Sequence, residues 1–302
     1  MTNSNDFDVI ILGGSYAGLS AGMALGRSLR KVLIIDSGQP CNRQTPHSHN
    51  FLTQDGQTPR HISALAKEQV AKYSTVQFLD GLAVSGVKRE RGFEIRTAAG
   101  DLFTAKKLVF ATGMKDVMPD IEGFAECWGV SVIHCPYCHG YEVRHERTGI
   151  LGNGDTGFEI AKLISNWTGD LTLFTNGPST LTEAQRDKLF QHQIGIIETE
   201  IDRLEHEQSY LQCVVLKDGR SIALKAMYAR PVMLQHCDIP AALGCELTEQ
   251  GLIRVDMFQK TTVDGVYACG DNSQMARAVA AAVATGTFAG GALNRELIEE
   301  RF

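Results

Sequence analysis

Strand-length apolar runs alternate with glycine turns and helix-length segments at the start of the chain. The run at 8–12 has the length of a buried strand, and a glycine turn and a helix-length stretch at 17–29 follow it. A second apolar run, at 32–35, ends in Asp36. This order predicts a βαβ unit with two parallel strands.

The same order recurs in the middle of the chain. The pattern there predicts a strand at 149–151, a glycine turn, a helix ending near residue 166 and a strand at 171–174. An internal repeat of this unit is typical of proteins with two dinucleotide-binding halves. We therefore predict an α/β fold that contains two Rossmann-like domains.

The first glycine loop has the sequence Gly13-Gly14-Ser15-Tyr16-Ala17-Gly18. It keeps the first and third glycines of the dinucleotide-binding motif and has Ser15 in place of the middle one, where a hydroxyl can bond a phosphate oxygen. Asp36 stands 18 positions after Gly18, where an acid that binds an adenosine ribose belongs. Gly13, Ser15, Gly18 and Asp36 are therefore predicted to bind a cofactor.

Two other predicted strands also end in small residues. The run at 108–111 leads into Ala111-Thr112-Gly113, and the segment 264–271 ends in Gly270-Asp271. An aspartate just beyond a buried strand is well placed to bond a polyol chain. The small and apolar stretch 278–293 that follows is predicted to be a helix buried against a cofactor or the sheet.

The second glycine loop keeps all three motif glycines, Gly152, Gly154 and Gly157. The position 18 residues after Gly157 is Thr175, which is neither the acid expected for NAD nor the arginine expected for NADP. The sequence thus favours a nucleotide-binding fold here but argues against tight binding of NADPH or NADH.

The segment His134-Cys135-Pro136-Tyr137-Cys138-His139 carries the candidate chemistry. Two thiols separated by two residues can close a small redox-active disulfide. Pro136 suits the first turn of a helix, and a helix N-terminus lowers the pKa of a thiol. A redox-active dithiol is the favoured interpretation.

Two metal alternatives fit the same segment. Cys-x-x-Cys-His is also the attachment signature of c-type haem, but haem attachment requires an exported chain and the first residues do not resemble a secretory signal. His134, Cys135, Cys138 and His139 are four possible zinc ligands, but four ligands within six residues have difficulty surrounding a tetrahedral ion. We therefore predict no metal site.

Charge and cysteine content indicate which partners and which cellular compartment to expect. The chain has 302 residues, enough for two domains, with a net charge of −6 and eight cysteines. The acidic balance argues against nucleic-acid and membrane surfaces. Cysteines without an export signal indicate a cytoplasmic protein, and the six outside the motif are predicted to be buried and structural.

These motifs together resemble the low-molecular-weight thioredoxin reductase family. The resemblance runs from about residue 8 to 290 and rests on five motifs in the same order: glycine loop, Ala-Thr-Gly, Cys-x-x-Cys, second glycine loop and Gly-Asp. It implies a homodimeric, FAD-dependent disulfide oxidoreductase. It also implies an FAD-binding domain formed by 1–116 and 237–302, with an NAD(P)-binding-like domain at 117–236 that carries the dithiol.

The resemblance also assigns cofactor contacts. The first loop and Asp36 would hold the adenosine diphosphate part of FAD, Asp271 the ribityl chain, and Asn50 would lie near the flavin ring. The backbone at Arg277, Ala278 and Val279 would face the pyrimidine edge, although family members usually carry glutamine at Ala278. The full predicted FAD set is Gly13, Ser15, Gly18, Asp36, Asn50, Ala111, Gly113, Gly270, Asp271, Arg277, Ala278 and Val279.

At the dithiol, the resemblance implies that Cys138 lies nearer the flavin and that Cys135 exchanges with substrate. His139 takes the place of the aspartate acid/base of thioredoxin reductases, and histidine can relay the same proton. The Cys-x-x-Cys-His-Gly form is more similar to the dithiol oxidases of gliotoxin and holomycin formation.

The predicted function is two-electron exchange between flavin and the Cys135/Cys138 pair. The partner is then a thioredoxin-like protein or a small dithiol or disulfide. Two alternatives remain open: a small-molecule dithiol oxidase that uses oxygen, and a flavin-binding redox sensor that does not turn over.

Overall fold

The protein divides into two compact units in a computed structural model that describes residues 5–302. The first unit comprises the chain through Arg43 together with Asn50–Lys115 and Met233–Phe302, and the second comprises Gln44–His49 and Asp116–Val232. The predicted boundaries, at 116/117 and 236/237, differ by a few residues and place Gln44–His49 in the first domain instead. That segment groups with the second unit because it packs against Gly129, where a Cβ would lie only 3.1 Å from Cγ of Gln44.

The elements follow one another in the order expected for repeated βαβ units. The helices are α1 (Tyr16–Arg27), α2 (Pro59–Ala71), α3 (Phe124–Cys127), α4 (Pro136–His139), α5 (Gly154–Ile164), α6 (Glu183–Gln191), α7 (Ile239–Ala242) and α8 (Val279–Glu299). The strands are β1 (Asp6–Leu12), β2 (Val32–Asp36), β3 (Val76–Asp80), β4 (Ala83–Arg89), β5 (Gly92–Thr97), β6 (Leu102–Phe110), β7 (Met114–Val117), β8 (Val132–Ile133), β9 (Thr148–Leu151), β10 (Leu171–Phe174), β11 (Gly195–Ile197), β12 (Ile201–Glu207), β13 (Tyr210–Leu216), β14 (Ser221–Ala223), β15 (Ala226–Ala229), β16 (Val232–Gln235) and β17 (Val266–Ala268).

The first unit is built on a sheet of order β3-β2-β1-β6-β5-β4, to which β17 adds beside β6. Strand β1 pairs in parallel with β2 and β6, with Val9 opposite Val32 and Lys107. The inner strands are almost wholly apolar because helices and loops cover both faces of a parallel sheet. This arrangement brings the carboxyl ends of β1, β2, β6 and β17 to one edge, where ligands bind in such folds.

Helix α8 packs closely on α1. A Cβ at Gly286 would collide with the carbonyl oxygen of Ala17, so the two helices touch through backbone. The sequence predicts a helix at 278–293 that is buried, but α8 continues to Glu299 and Phe288 is 61% exposed. Only the face of small residues is buried, and that face lies against a helix as well as the sheet.

The second unit repeats the parallel pattern on a smaller scale. Its main sheet has the order β11-β10-β9-β15-β8, and β12, β13 and β14 form a separate antiparallel sheet. Strand β9 lies between β10 and β15, with Gly149 opposite Thr172 and Met227. The predicted α/β fold with two Rossmann-like halves is therefore confirmed.

Two helices end earlier than their apolar patterns predict. Helix α1 stops at Arg27 because Leu29 adopts a left-handed conformation with φ of 60°, and α5 stops at Ile164. Among residues 5–302, no helix combines the length and the apolar character that a membrane span requires.

Candidate active site

The first glycine loop makes a tight turn from β1 into α1. Gly13 has φ of 105°, and a Cβ there would collide with the carbonyl oxygen of Ala111. A Cβ at Gly18 would collide with the carbonyl oxygen of Gly13. Glycine is therefore required at both predicted positions, and Ala111 forms the neighbouring wall.

The N-terminus of α1 is open to an anion. Ser15 is its N-cap residue, but its side chain makes no capping hydrogen bond. Backbone N–H groups at a helix N-terminus bind phosphate when no side chain takes them. Asp36 accepts a hydrogen bond of 3.0 Å from the Gly14 amide, which fixes its carboxylate beside the loop. The arrangement fits the adenosine diphosphate part of FAD.

A second group of predicted cofactor residues meets at the ends of β17 and α8. The Gly270 amide donates to Thr285 Oγ1 at 3.0 Å, and Asp271 Oδ2 lies 3.4 Å from Arg277 Nε. Ala278 is the N-cap residue of α8, and its backbone is extended. Its side chain makes no capping hydrogen bond, so it leaves the backbone amides at the start of the helix available. These residues fit the remaining part of the same cofactor.

Asn50 and Gly113 are the remaining residues of the predicted FAD set. The Asn50 amide donates to Asp55 Oδ1 at 2.7 Å, in a left-handed turn with φ of 58°. Gly113 also has a positive φ, of 66°, just after β6. Their contacts with a flavin remain predictions.

Cys41 was not part of the predicted site and is wrongly predicted to be buried. It is exposed, and its Sγ lies 4.0 Å from Asp271 Oδ2. Cys213 and Cys237 are half-buried, whereas Cys127, Cys245 and Cys269 are buried as expected. An isolated cysteine in a loop carries no periodicity from which its exposure can be judged.

The dithiol is closed into a disulfide between Cys135 and Cys138. Cys135 is the N-cap of α4, and Pro136 is the first residue of that helix. The helix has only four residues, so the influence of its dipole on the thiols is small.

His139 closes the same helical turn as the disulfide. Its backbone amide donates to the Cys135 carbonyl oxygen at 3.2 Å. Burial lowers the pKa of its imidazole below the ordinary value, nearby His49 lowers it further, and Glu142 acts in the opposite direction. His139 is therefore neutral at pH 7 and able to accept a proton.

Two residues of the dithiol motif, His134 and Tyr137, make ring contacts with tryptophan side chains. Tyr137, within the motif, is 63% exposed and meets Trp167 edge to face with 5.6 Å between the ring centroids. His134 stacks on Trp128 at 5.8 Å. Tyr137 therefore gives the disulfide an accessible apolar neighbour.

In the second glycine loop, the side chain of Asn153 caps the N-terminus of helix α5. Asn153 Oδ1 accepts hydrogen bonds from the amides of Gly154 and Thr180, both at 2.8 Å. Its Nδ2 donates to the Pro178 carbonyl oxygen at 2.9 Å. Asn153 thus ties the loop after β10 onto the position where a pyrophosphate would bind.

The charges around this second loop are also unfavourable for a dinucleotide. Asp155 lies in the first turn of α5. Arg186, the nearest arginine in sequence after Thr175, is paired with Glu198 at 2.8 Å. A phosphate approaching α5 would meet a carboxylate, and the arginine is already engaged.

Sequence reasoning missed Asn153, Thr180, His49 and Glu142. Asn153 could have been found, because asparagine before a helix-opening glycine is a common N-cap. The other three depend on loops that meet only in the folded chain. Within residues 5–302, no group of three or more His, Cys, Asp or Glu side chains is arranged to hold a metal ion.

Known proteins match the chain over nearly its full length. The family profile described as pyridine nucleotide-disulphide oxidoreductase matches residues 7–286. Thioredoxin reductase sirT from Leptosphaeria maculans is 33% identical over 305 residues, which cover 95% of this chain and 93% of that protein.

Solved structures agree in fold and in length. An oxidoreductase from Agrobacterium tumefaciens is 37% identical with a TM-score of 0.91, covering 97% of this chain and 99% of its own. HlmI is 33% identical with a TM-score of 0.93, covering 100% of this chain and 95% of its own. The predicted resemblance, enzyme class and use of FAD are thereby confirmed. The chain belongs to the pyridine nucleotide-disulphide oxidoreductase family and is an FAD-dependent oxidoreductase of the thioredoxin reductase type.

Proposed function

We propose that the Cys135–Cys138 disulfide oxidises a substrate dithiol by thiol–disulfide exchange, with His139 as the general base. The observation that carries this proposal is the position of His139 on the same short helix as the disulfide, with burial lowering the pKa of its imidazole. A neutral imidazole beside a disulfide can take the proton of an incoming thiol. Only the thiolate attacks a disulfide.

The exchange proceeds in two balanced steps. His139 takes the proton of one substrate thiol, and the resulting thiolate attacks Cys135 Sγ while the Cys135–Cys138 bond breaks and Cys138 leaves as thiolate. The second substrate thiol then gives its proton to the Cys138 thiolate and attacks the substrate sulfur of the mixed disulfide, which releases Cys135 as thiolate and the substrate as a disulfide. Two electrons now reside on the Cys135/Cys138 pair.

The residues of the first unit would hold the cofactor that drains these electrons. Gly13, Gly18 and Asp36 would bind its adenosine diphosphate part, and Asp271 with the start of α8 the remainder. When bound, FAD supplies an acceptor for the two electrons of the reduced pair and a route from it to oxygen. The chain's own task there is to orient the cofactor by backbone amides and carboxylates.

The second glycine loop supports the oxidase direction. Asn153 occupies the amide of Gly154, and Asp155 adds negative charge at the N-terminus of α5. Both features disfavour a nicotinamide dinucleotide as donor, so electrons enter from the substrate dithiol. A reductase direction is the second candidate, since Gly152, Gly154 and Gly157 are intact.

We further propose a small dithiol as the substrate, in preference to a thioredoxin-like protein. The exposed ring of Tyr137, which stands between the two cysteines in the motif, supports a compact, partly apolar molecule. The homodimer and the cytoplasmic compartment implied by the sequence belong to the same proposal.

Steady-state oxygen consumption of the FAD-loaded protein tests this function. With dithiothreitol as substrate, oxygen uptake is expected to match the amount of oxidised dithiothreitol formed. With NADPH alone, uptake is expected to stay at the level of the buffer control. Rapid turnover with NADPH and a disulfide, together with none from the dithiol, would establish the reductase direction instead.

A further inference from the structure

The segment Gln44–His49, which is distant in sequence from the dithiol, places a second imidazole, that of His49, in the same compact unit as the disulfide. The rest of that unit begins only at Asp116. The segment is held by a close approach to Gly129, where a Cβ would lie 3.1 Å from Gln44 Cγ and 3.2 Å from Thr45 Oγ1. His49 is thus placed by packing on the fold.

His49 pairs with an acid that follows the dithiol helix. His49 Nε2 lies 3.6 Å from Glu142 Oε1, and the two side chains are 21% and 41% exposed. Glu142 stands three positions after His139, in the turn that leaves α4. The His49 side chain is therefore largely shielded from solvent, whereas the Glu142 carboxylate is exposed.

The other ionisable groups near this turn are accounted for by their own contacts. The guanidinium of Arg144 stacks on the Tyr141 ring, with 3.9 Å from Cζ to the centroid. His134 stacks on Trp128, and the ring of His47 lies 6.4 Å from that of His49. From β15, the phenol of Tyr228 is buried, and burial and the Glu142 carboxylate raise its pKa, so it stays neutral.

We infer that His49 and Glu142 are positioning residues that together set the protonation of His139 during thiol exchange. This inference rests on the function proposed above. Glu142 favours the imidazolium that His139 becomes on taking the thiol proton. His49, whose Nε2 lies 3.6 Å from Glu142 Oε1, acts in the opposite direction. The pair tunes the base without touching the substrate sulfur.

The directions of the two effects are opposite and can be tested separately. Besides burial, His49 lowers the pKa of His139 and Glu142 raises it. Glu142→Gln should therefore lower the pKa of His139 further, and His49→Asn should raise it towards the ordinary value. Each shift is expected to be about 0.5 to 1 unit, since the pair is partly exposed.

Histidine titration by NMR on the FAD-loaded protein measures this directly. With ¹³C-labelled histidine, the signal lost in His139→Asn assigns His139, and its midpoint is then followed in each variant. In parallel, anaerobic stopped-flow bleaching of the flavin by dithiothreitol gives the acid limb of the rate against pH. That limb should move by the same amount and in the same direction as the NMR midpoint.

Matched controls lie on the same turn. Glu146→Gln removes an exposed carboxylate, and His145→Asn removes an exposed imidazole at a left-handed position that asparagine accepts. Neither should move the His139 midpoint by more than about 0.2 unit. Glu142→Asp retains the charge and should restore most of the shift, which separates an electrostatic role from a loss of folding.

Midpoints that stay within about 0.2 unit of the parent in both Glu142→Gln and His49→Asn would overturn the inference. The titration gives its answer even if dithiothreitol never bleaches the flavin. In that case the proposed function fails, but the NMR midpoints still show whether His49 and Glu142 change the protonation of His139.

Discussion

The two glycine loops have the same local topology but opposite chemistry. In the first, the capping residue Ser15 leaves the helix N-terminus free, and Asp36 is fixed beside it by the Gly14 amide. In the second, Asn153 caps the helix and also ties the neighbouring loop to it. A repeated βαβ unit can therefore keep its three glycines while a side chain of the loop itself bonds the amide that opens the helix.

We expect the two units to have different tasks. The first unit offers the open loop and the carboxylates that we propose would hold the cofactor. The second unit offers the disulfide, His139 and a loop filled by its own side chain. Changes in the first unit should alter cofactor retention, and changes in the second should alter thiol exchange while the cofactor stays bound.

The largest effect is expected from the disulfide itself. Cys135→Ser and Cys138→Ser should each reduce dithiol-driven oxygen uptake at least about 1,000-fold, because serine cannot form the mixed or internal disulfide. The flavin absorbance per protein should be unchanged. Full activity in either variant would remove the dithiol from the mechanism.

His139→Asn should slow the exchange by about 100-fold, the usual contribution of a positioned general base. Because burial lowers the pKa of His139, the parent enzyme should keep its base form below the ordinary pKa of histidine, and its rate should fall only at more acid pH. The variant should lack that acid limb. Rates measured from pH 4.5 to 8 by flavin bleaching check this, and identical profiles would contradict it.

Much of this division can be predicted from sequence. Both βαβ units follow from local apolar runs and glycine spacing, and the Cys-x-x-Cys motif at a helix start follows from Pro136. The bonds of Asn153 to Thr180, 27 positions away, depend on the path of a loop, which periodicity does not encode. The pairing of His49 with Glu142 joins two segments that are distant in sequence, so it cannot be predicted from local patterns either.

Asp36→Ala and Thr175→Ala together test whether the first loop, and not the second, binds FAD. Losing the carboxylate removes an acceptor for the Gly14 amide and for a ribose hydroxyl, so FAD affinity should fall about 30-fold. Thr175→Ala changes the equivalent position in the second unit and should leave FAD affinity as in the parent. Fluorescence titration of apoprotein with FAD measures both, and an equal loss would abolish the distinction between the loops.

The smallest effect concerns the ion pairs of the two units. Glu296, on α8, is bonded by Lys107, Tyr267 and Lys260. Burial acts to raise the pKa of Glu296, but these bonds outweigh it and lower the pKa to about 2. Its folded pKa is thus below its unfolded value of about 4.3, so the stability it contributes is present above that value and is lost as pH falls towards 2.

Glu296→Gln should therefore lower the free energy of unfolding at pH 7 by about 1 kcal/mol, after allowance for its partial exposure. The difference from the parent should shrink at pH 3. Glu205→Gln, in the exposed Arg203 pair of the second unit, should change stability by less than about 0.5 kcal/mol. Urea unfolding at both pH values measures the set, and a pH-independent loss would argue for a packing effect.

Anaerobic stopped-flow reduction of the FAD-loaded protein shows whether electrons enter from a dithiol or from a nicotinamide. Dithiothreitol and NADPH are mixed with the protein separately, and the flavin absorbance is followed before oxygen is admitted. We expect saturable bleaching by the dithiol, no bleaching by NADPH above the blank, and recovery of the oxidised flavin with oxygen. Fast bleaching by NADPH with none by the dithiol would contradict it.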